Sequence, residues 1–207
     1  MTLSQKLDKL GAVNLMLAAA GEQPVSTLIN NEINDTDAAQ QVLNEVMIEL
    51  LLDGWDFNNT RKTLTPDANK NIAVSPNYLR VDGRVDDFKR RLSVRSNKLY
   101  DLDNDTDEFD KEVVLKITQN IDFDDLPQAF AFFAARQAAA IYYEDNGGDS
   151  QIIQLLERRA LRAWTRCKKD NAKTHDFNWI HNSGSVTRLS ANRSTRYQPD
   201  FENNRPI

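Results

Sequence analysis

The chain has 207 residues, a net charge of −5, 40% hydrophobic residues and 28% charged residues, a globular composition that excludes wholesale disorder. No apolar run approaches the ~20 residues that span a bilayer, and the first ten residues lack the apolar centre of a secretory signal. We therefore expect no membrane insertion and no secretion, and the single cysteine, Cys167, excludes an internal disulfide and fits a reducing cytosol.

The N-terminal end of the chain carries the pattern of two helices. Spacings of three and four predict a first helix over about residues 3–20, on a face formed by Leu3, Leu7, Leu10, Asn14 and Leu17. Gly21 is suited to end this helix in a left-handed conformation, and Pro24 prevents it from resuming. Asp35, Thr36 and Asp37 offer N-cap oxygens for a second helix. Gly54 ends that helix, whose apolar stripe is Val42, Val46 and Leu50.

The middle third of the chain changes to the two-residue period of strands. NIAVSPNYLRVDG (residues 71–83) is short and extended, and RRLSVRSNKLYDL (90–102) alternates Leu92 and Val94 with polar neighbours, the pattern of one strand with a buried face. KEVVLKI (111–117) places three apolar residues on one side: Val113, Leu115 and Ile117. We therefore predict a β-rich insertion over 56–121, with an acidic hairpin tip between these last two segments.

Helical patterns return after the insertion. LPQAFAFFAARQAAAIYYEDN (126–146) predicts a third helix with Phe130, Phe133, Gln137 and Ile141 on one face and alanines that permit close packing. A fourth helix is predicted from about residue 150 to Lys173, with a stripe of Ile152, Leu156, Ala160, Ala163 and Cys167. Residues 176–207, rich in Asn, Ser and Arg, predict an extended tail without a core of its own.

These patterns together predict an α+β fold, a mainly α-helical bundle with a β-rich insertion and an extended C-terminal tail. The bundle domain is discontinuous, since residues 1–55 and 122–175 flank the insertion 56–121, and the tail 176–207 follows.

Several short motifs follow one another along residues 10–170. The first, AVNLMLAAAGEQPVSTL (12–28), contains Val13, Asn14, Leu17, Gly21, Pro24, Val25 and Leu28. The second, DGWDFN (53–58), contains Gly54, Trp55, Phe57 and Asn58, and the third, SPNYLRV (75–81), contains Ser75, Pro76, Tyr78, Leu79 and Val81. LYD (99–101), FDDLP (123–127), an alanine-rich helix and a helix with Ala163-Trp164 come next. In these motifs and their order the chain resembles the tail tubular A family, the head-to-tail adaptors of autographivirus-type short-tailed phages.

The resemblance implies a structural virion protein with no catalysis, no metal and no cofactor. Adaptors of this family form a dodecameric ring between the portal protein and the tail nozzle (tail tubular protein B). Tail fibres dock nearby, and genomic DNA passes through the lumen. It also implies a location in the virion tail after assembly in the host bacterial cytoplasm.

The motif residues Val25 and Leu28 are apolar, although they lie in a loop. In a ring adaptor such an anchor would pack the loop onto the helices, because a rigid subunit shape sets the angle to the next subunit. On the simpler alternative, the two residues close the core of the monomer itself.

The acidic segment DLDNDTDEFDKE (101–112) has the ligand spacing of a calcium loop, with Asp101, Asp103, Asp105, Asp107 and Glu112 at positions 1, 3, 5, 7 and 12. Thr106 stands where that loop needs glycine, and strands flank it, so we expect an acidic turn without a metal. The same cluster, including Glu108, is the candidate site for the alternative function, a tail-associated glycan hydrolase acting on host envelope polysaccharide. Such an enzyme needs a sheltered carboxylate of raised pKa, which a wet turn does not provide.

The C-terminal end of the chain is basic, since residues 151–207 hold 11 basic and 5 acidic residues whereas 1–150 hold 15 and 26. Five cations of the fourth helix fall within about 80° at ~100° per residue: Arg158, Arg162, Arg166, Lys169 and Lys173. We expect them to bind an acidic protein rather than DNA, because phosphate contacts would add a salt-sensitive drag on a moving duplex. A nucleic-acid-binding module and a solvated face are the alternatives.

His175 and His181 make at most half a metal site, since no Cys or Glu lies near them.

Overall fold

The computed structural model describes residues 6–29, 34–85, 88–89 and 91–182. The helices are α1 (Lys9–Ala20), α2 (Asn34–Leu52), α3 (Gln128–Asp145) and α4 (Ser150–Asn182), with a 3-10 turn at Phe123–Asp125. The strands are β1 (Asn59–Leu64), β2 (Tyr78–Asp82), β3 (Arg84–Val85), β4 (Phe88–Lys89), β5 (Leu92–Arg95), β6 (Lys98–Asp101) and β7 (Val113–Gln119). The predicted α+β fold is confirmed.

The chain divides into two compact units, residues 1–169 and 170–207. The first unit contains α1 to α3, all the strands and α4 up to Lys169. In the second unit the described residues are the last turns of α4, where Lys173 Nζ lies 3.7 Å from Asp170 Oδ1. Among the described residues, no helix combines the length and apolar character that crossing a membrane requires.

Helix α1 begins later than the sequence predicts, at Lys9, because the Asp8 side chain caps it by accepting a hydrogen bond from Gly11 N at 2.8 Å. Its predicted end is confirmed, since Gly21 has a φ of 82°. The buried face is Ala12, Val13, Met16 and Leu17, so it is centred beside the predicted stripe. Leu3 of that stripe lies outside the described residues.

The loop after α1 is fastened to the helix by a pair of hydrogen bonds. Asn14 Nδ2 donates to Val25 O at 2.9 Å, and Val25 N donates to Asn14 Oδ1 at 2.7 Å. Val25 and Leu28 are half-buried and pack against the core of the helices. The Tyr142 hydroxyl donates to the Glu22 carboxylate at 3.0 Å, and burial, with this bond, raises the pKa of Tyr142 above its ordinary value. The loop therefore has both polar and apolar attachments to α1 and α3.

Replacing Asn14 with alanine is expected to lower the free energy of unfolding by about 2 kcal/mol, because a half-buried N–H and C=O of Val25 lose their partners. Asn14→Asp keeps the acceptor and loses the donor, so its free energy of unfolding should lie between that of the wild type and that of Asn14→Ala. Urea unfolding at constant slope measures the change, and Gln23→Ala, at an exposed position of the same loop, is the control. Equal stability of Asn14→Ala and Gln23→Ala would contradict the assignment.

Helix α2 starts at Asn34, so the residues predicted as its N-cap, Asp35, Thr36 and Asp37, lie within its first turn. There the two carboxylates still face the positive end of the helix dipole. Leu43, Val46, Met47, Leu50 and Leu51 are buried, and the predicted stop is confirmed, since Gly54 has a φ of 76°.

The β-rich region is built on β7, which lies between β1 and β2 and pairs antiparallel with both. Its predicted apolar side is confirmed, since Val113, Leu115 and Ile117 are buried in a core separate from that of the helices. That core also contains Ile72, Val74, Leu99 and Phe109.

The prediction of one strand over 90–102 is wrong. This segment is the hairpin β5–β6, with Leu92 opposite Asp101, and it turns at Ser96 and Asn97, whose φ values are 49° and 59°. Two consecutive left-handed residues match the twist of a tight hairpin, which the alternation of apolar residues does not reveal. Val94, expected on a buried face, is exposed. The acidic segment therefore links β6 to β7 instead of forming a hairpin tip.

Helix α3 is the centre of the bundle, and its small residues allow α1 and α2 to pack closely. The buried alanines are Ala131, Ala134, Ala135, Ala138, Ala139 and Ala140. The start of α4 is capped by Asp149 Oδ1, which accepts from Gln151 N at 2.8 Å. Leu156, Ala160, Ala163 and Cys167 are buried as predicted, whereas Ile152 is exposed.

Helix α4 continues to Asn182, beyond the predicted end near Lys173. The reason is that no glycine or proline interrupts residues 150–183. The first residues of the predicted extended tail, 176–182, are thus helical, and 183–207 lie outside the described residues. His175 and His181 lie in the part of α4 whose side chains are not described.

Candidate functional site

The residues of the DGWDFN motif join the helices to the β-rich region. The Trp55 Nε1 donates to Leu50 O at 2.7 Å, and its ring packs edge-on against Phe130 and Trp164, at centroid distances of 4.8 and 5.3 Å. Phe57 packs edge-on against the same Phe130 at 4.7 Å. One aromatic cluster therefore joins the end of α2 to α3 and α4.

Asn58 is a buried polar residue with three side-chain hydrogen bonds. Its Oδ1 accepts from Trp55 N at 2.8 Å, and its Nδ2 donates to Leu51 O at 2.9 Å and to Gln119 O at 3.0 Å. It thus satisfies a carbonyl at the end of α2 and one at the end of β7, which fixes the two elements to each other.

The SPNYLRV motif shapes the entry to β2. Tyr78 N donates to Ser75 O at 3.0 Å, closing a turn that contains Pro76. The Lys62 ammonium lies 5.1 Å from the centre of the half-buried Tyr78 ring. Leu79 then packs against the core of the helices and Val81 against the β core, so this motif also serves the internal structure.

The carboxylates of the acidic segment point to different partners. Asp101 is buried and accepts from Asp103 N at 2.9 Å and from Asn104 Nδ2 at 2.8 Å. Asp103 Oδ1 accepts from Arg91 Nε at 2.7 Å, and Asp105 Oδ1 accepts from the Tyr100 hydroxyl at 2.7 Å, a bond that raises the pKa of Tyr100. The residues with calcium-loop spacing are therefore spread over separate contacts.

Further acidic residues of this segment follow the same pattern. Asp107 lies 3.7 Å from Lys98 Nζ, and Asp110 accepts from Lys70 Nζ at 2.8 Å, which lowers the pKa of Asp110. Glu108 and Glu112 are exposed. Among the described residues, no group of three or more His, Cys, Asp or Glu side chains is arranged to hold a metal ion. The segment lines a cavity of about 550 Å³ with Asp101, Glu108, Asp110 and Glu112. Of these four, Asp101 is buried and the others are exposed, so no two of them are sheltered together as the carboxylates of a glycan hydrolase are.

A groove of about 630 Å³ opens between α1, α3 and α4 within the first unit. Its floor is aliphatic, and includes Leu15, Ala19, Ala139, Ile152 and Leu155. Four arginines surround it, Arg136 from α3 and Arg159, Arg162 and Arg166 from α4. Within the described residues, none of these arginines forms an ion pair. The groove thus combines exposed apolar surface with uncompensated positive charge.

Three of the predicted partner-binding cations are divided between two cavities. Arg162 and Arg166 line the groove, whereas Arg158 lines a different cavity with Leu161 and Trp164 and donates from Nε to Gln154 O at 3.1 Å. Lys169 is exposed in the first unit, and Lys173 belongs to the second. Arg159 also lines the groove, but it is not among the predicted cations. It lies three positions before Arg162 and seven before Arg166, and this helical spacing could have placed it on the same face. For Arg136 no sequence signal exists, because only the packing of α3 against α4 brings it there.

Comparison with known proteins decides the family. A model of the tail tubular protein family matches residues 10–177 of the chain. The chain belongs to this family. Tail tubular protein A of Klebsiella phage KP34 is 38% identical over 150 residues, which cover 72% of this chain and 79% of that protein. The resemblance drawn from the motifs is confirmed.

As a member of the tail tubular protein family, the chain is a structural protein of a phage tail. The matched residues include all the motifs described above and all four groove arginines. The motif residues with described contacts lie in the interior or at turns, so they maintain the subunit's shape. Within the described residues, the groove is an exposed surface whose apolar floor and arginine rim suit a partner.

Proposed function

We propose that this tail tubular protein is one subunit of a dodecameric ring adaptor that joins the portal to the tail nozzle. The proposal rests on the family match over residues 10–177. It is supported by the way the motif residues fix the loop after α1 to α1 and α3, and the end of α2 to α3, α4 and β7. A ring requires such a rigid subunit, since a small error in the angle between neighbours would prevent closure.

We further propose its partners in the tail. The nozzle protein and the tail fibres would lie below the ring, and genomic DNA would pass through its lumen. The net charge of −11 over residues 1–150, from 15 basic and 26 acidic residues, suits a channel that releases the duplex without gripping its phosphates. Assembly in the host bacterial cytoplasm, without membrane insertion, completes the proposal.

The proposed role includes no catalysis. Asp105 and Glu108, two carboxylates of the candidate hydrolase site, are exposed on the acidic segment, and Asp105 accepts a hydrogen bond from Tyr100. The acid of a hydrolase lies in a sheltered pocket, and neither of these exposed side chains has that shelter. No observation favours the hydrolase.

Electron microscopy of the purified protein, alone and mixed with the portal protein, tests the proposal. We expect rings of twelve copies, either free or seated on the portal. A protein that stays monomeric at high concentration and does not attach to portals would overturn the proposed function.

The tail from Asp176 onward is expected to lie along the portal, because its composition, rich in Asn, Ser and Arg, is too polar to form a core of its own. A chain that ends at Asn182 keeps all of α4 and should still form rings. Its attachment to portals should fall at least tenfold, measured by co-sedimentation with purified portal. Full attachment of the shortened chain would refute this role of the tail.

A further inference from the structure

The groove between α1, α3 and α4 requires a partner of a particular chemistry. Ile152 and Leu155 on its floor are each 43% exposed, a large fraction for aliphatic side chains in a folded protein. The four surrounding arginines have no acidic partner among the described residues. A complementary partner therefore presents aliphatic side chains together with carboxylates, on an element as narrow as a single helix, which can lie in a groove between helices.

Helix α2 exposes a face of this kind. Glu45, Ile48, Glu49 and Leu52 are all exposed and follow the i, i+3, i+4, i+7 spacing by which a helix anchors in a groove. Ile48 and Leu52 are each 42% exposed, and residues 34–52 contain no lysine or arginine. In the described part of the chain, α2 and α4 are the helices with more than one exposed large aliphatic side chain.

The acidic character of this surface extends beyond α2. Ile48 borders a cavity lined by three acidic residues, Asp122, Asp124 and Asp125, at and just before the 3-10 turn, and by one cation, Lys9. The α2 surface is therefore negative and the groove positive, so each matches the other in both charge and exposed apolar area.

The two surfaces cannot meet within one subunit. The opposite face of α2 is buried against α1 and α3, and no residue of α2 lines the groove. Two different complementary surfaces on one molecule produce a head-to-tail contact, which repeats from copy to copy until a ring closes.

We propose that the exposed face of α2 of one subunit docks in the arginine-rimmed groove of the next subunit. This contact presupposes the ring proposed above. Ile48 and Leu52 cover Ile152 and Leu155, while Glu45 and Glu49 meet the groove arginines. The proposal assigns the occupant of the groove to a second copy of this chain.

Charge reversal on each side tests the contact. Arg159→Glu with Arg162→Glu makes the groove acidic, and Glu45→Arg with Glu49→Arg makes the α2 face basic. Because like charges then face each other, the concentration at which rings form should rise roughly a hundredfold or more for either variant alone. Ring formation is measured by mass photometry and electron microscopy of the full chain, with portal protein added as a template in parallel.

The two reversed variants complement each other if the proposal is correct. In an equimolar mixture each acidic groove meets a basic α2 face and each basic groove an acidic one, so alternating rings should form. A chain with all four substitutions should also form rings. These recoveries would exclude misfolding as the cause of the losses. The matched control is Arg158→Glu, next to Arg159 but outside the groove, which should leave ring formation unchanged.

Three results separate the possible failures. If the wild-type chain forms no rings with or without portal, the proposed adaptor function fails. If wild-type rings form and the reversed variants form them equally well, the adaptor stands and the α2 contact is wrong. If the groove variant keeps its rings but loses portal attachment, the groove binds the portal and this proposal is overturned.

Discussion

Replacing Asn58 with alanine is expected to lower the free energy of unfolding by about 4 kcal/mol, because three buried hydrogen bonds are lost at once. The Leu51 and Gln119 carbonyls and the Trp55 N–H would lose their side-chain partner in the interior. Their desolvation is then uncompensated, which costs more than an ordinary surface bond contributes. Denaturant unfolding at constant slope measures the loss.

A second substitution at the same position distinguishes the loss of the hydrogen-bond donor from the loss of side-chain volume. Asn58→Asp keeps the shape but places a carboxylate against two backbone carbonyls, so at neutral pH it should be less stable than Asn58→Ala. Asn44→Ala, at an exposed position on α2, is the control and should change stability by less than about 0.5 kcal/mol. A loss below about 1 kcal/mol for Asn58→Ala would show that Asn58 does not hold α2 to β7.

Replacing Trp55 with alanine is expected to lower the free energy of unfolding by about 3 kcal/mol, the lower end of the range for removing a large aromatic side chain from a core, because Trp55 is half-buried. The edge-on contacts with Phe130 and Trp164 are lost, and so is the Nε1 bond to Leu50 O. Trp55→Phe retains an aromatic ring and loses the bond, so we expect about 1–2 kcal/mol for it.

Thermal and denaturant unfolding of both Trp55 variants provide the measurement. A cost for Trp55→Phe equal to that of Trp55→Ala would assign the effect to the hydrogen bond, not to the aromatic cluster.

For ring assembly, a weakened cluster at the meeting point of α2, α3 and α4 should also broaden the distribution of ring sizes. This follows because α2 and α4 carry the two surfaces proposed to meet between subunits.

The internal contacts of the subunit and the surfaces proposed to meet its neighbours therefore use different residues. Asn14, Trp55 and Asn58 are recognisable motif residues, and each of them makes internal contacts. The groove arginines belong to no motif, and they face outward. The sequence motifs of this chain consequently mark the residues that hold the subunit together and not the residues proposed to bind its neighbours.

The amino-acid sequence by itself determined the local elements and the family. The ends of α1 and α2 follow from Gly21 and Gly54, and the buried side of β7 follows from the alternation of Val113, Leu115 and Ile117. These features depend on residues within a few positions of one another, through backbone preference and periodicity. The order of the motifs was sufficient to identify the tail tubular family.

Tertiary structure alone decided which distant segments meet. The placement of β7 between β1 and β2, the turn of β5–β6 at Ser96 and Asn97, and the union of Arg136 with the arginines of α4 have no local signature. Each is decided by which arrangement buries the most apolar surface while satisfying the backbone. Apolar burial and backbone hydrogen bonding depend here on contacts between residues far apart in the chain. A periodic pattern along the sequence therefore does not predict these contacts.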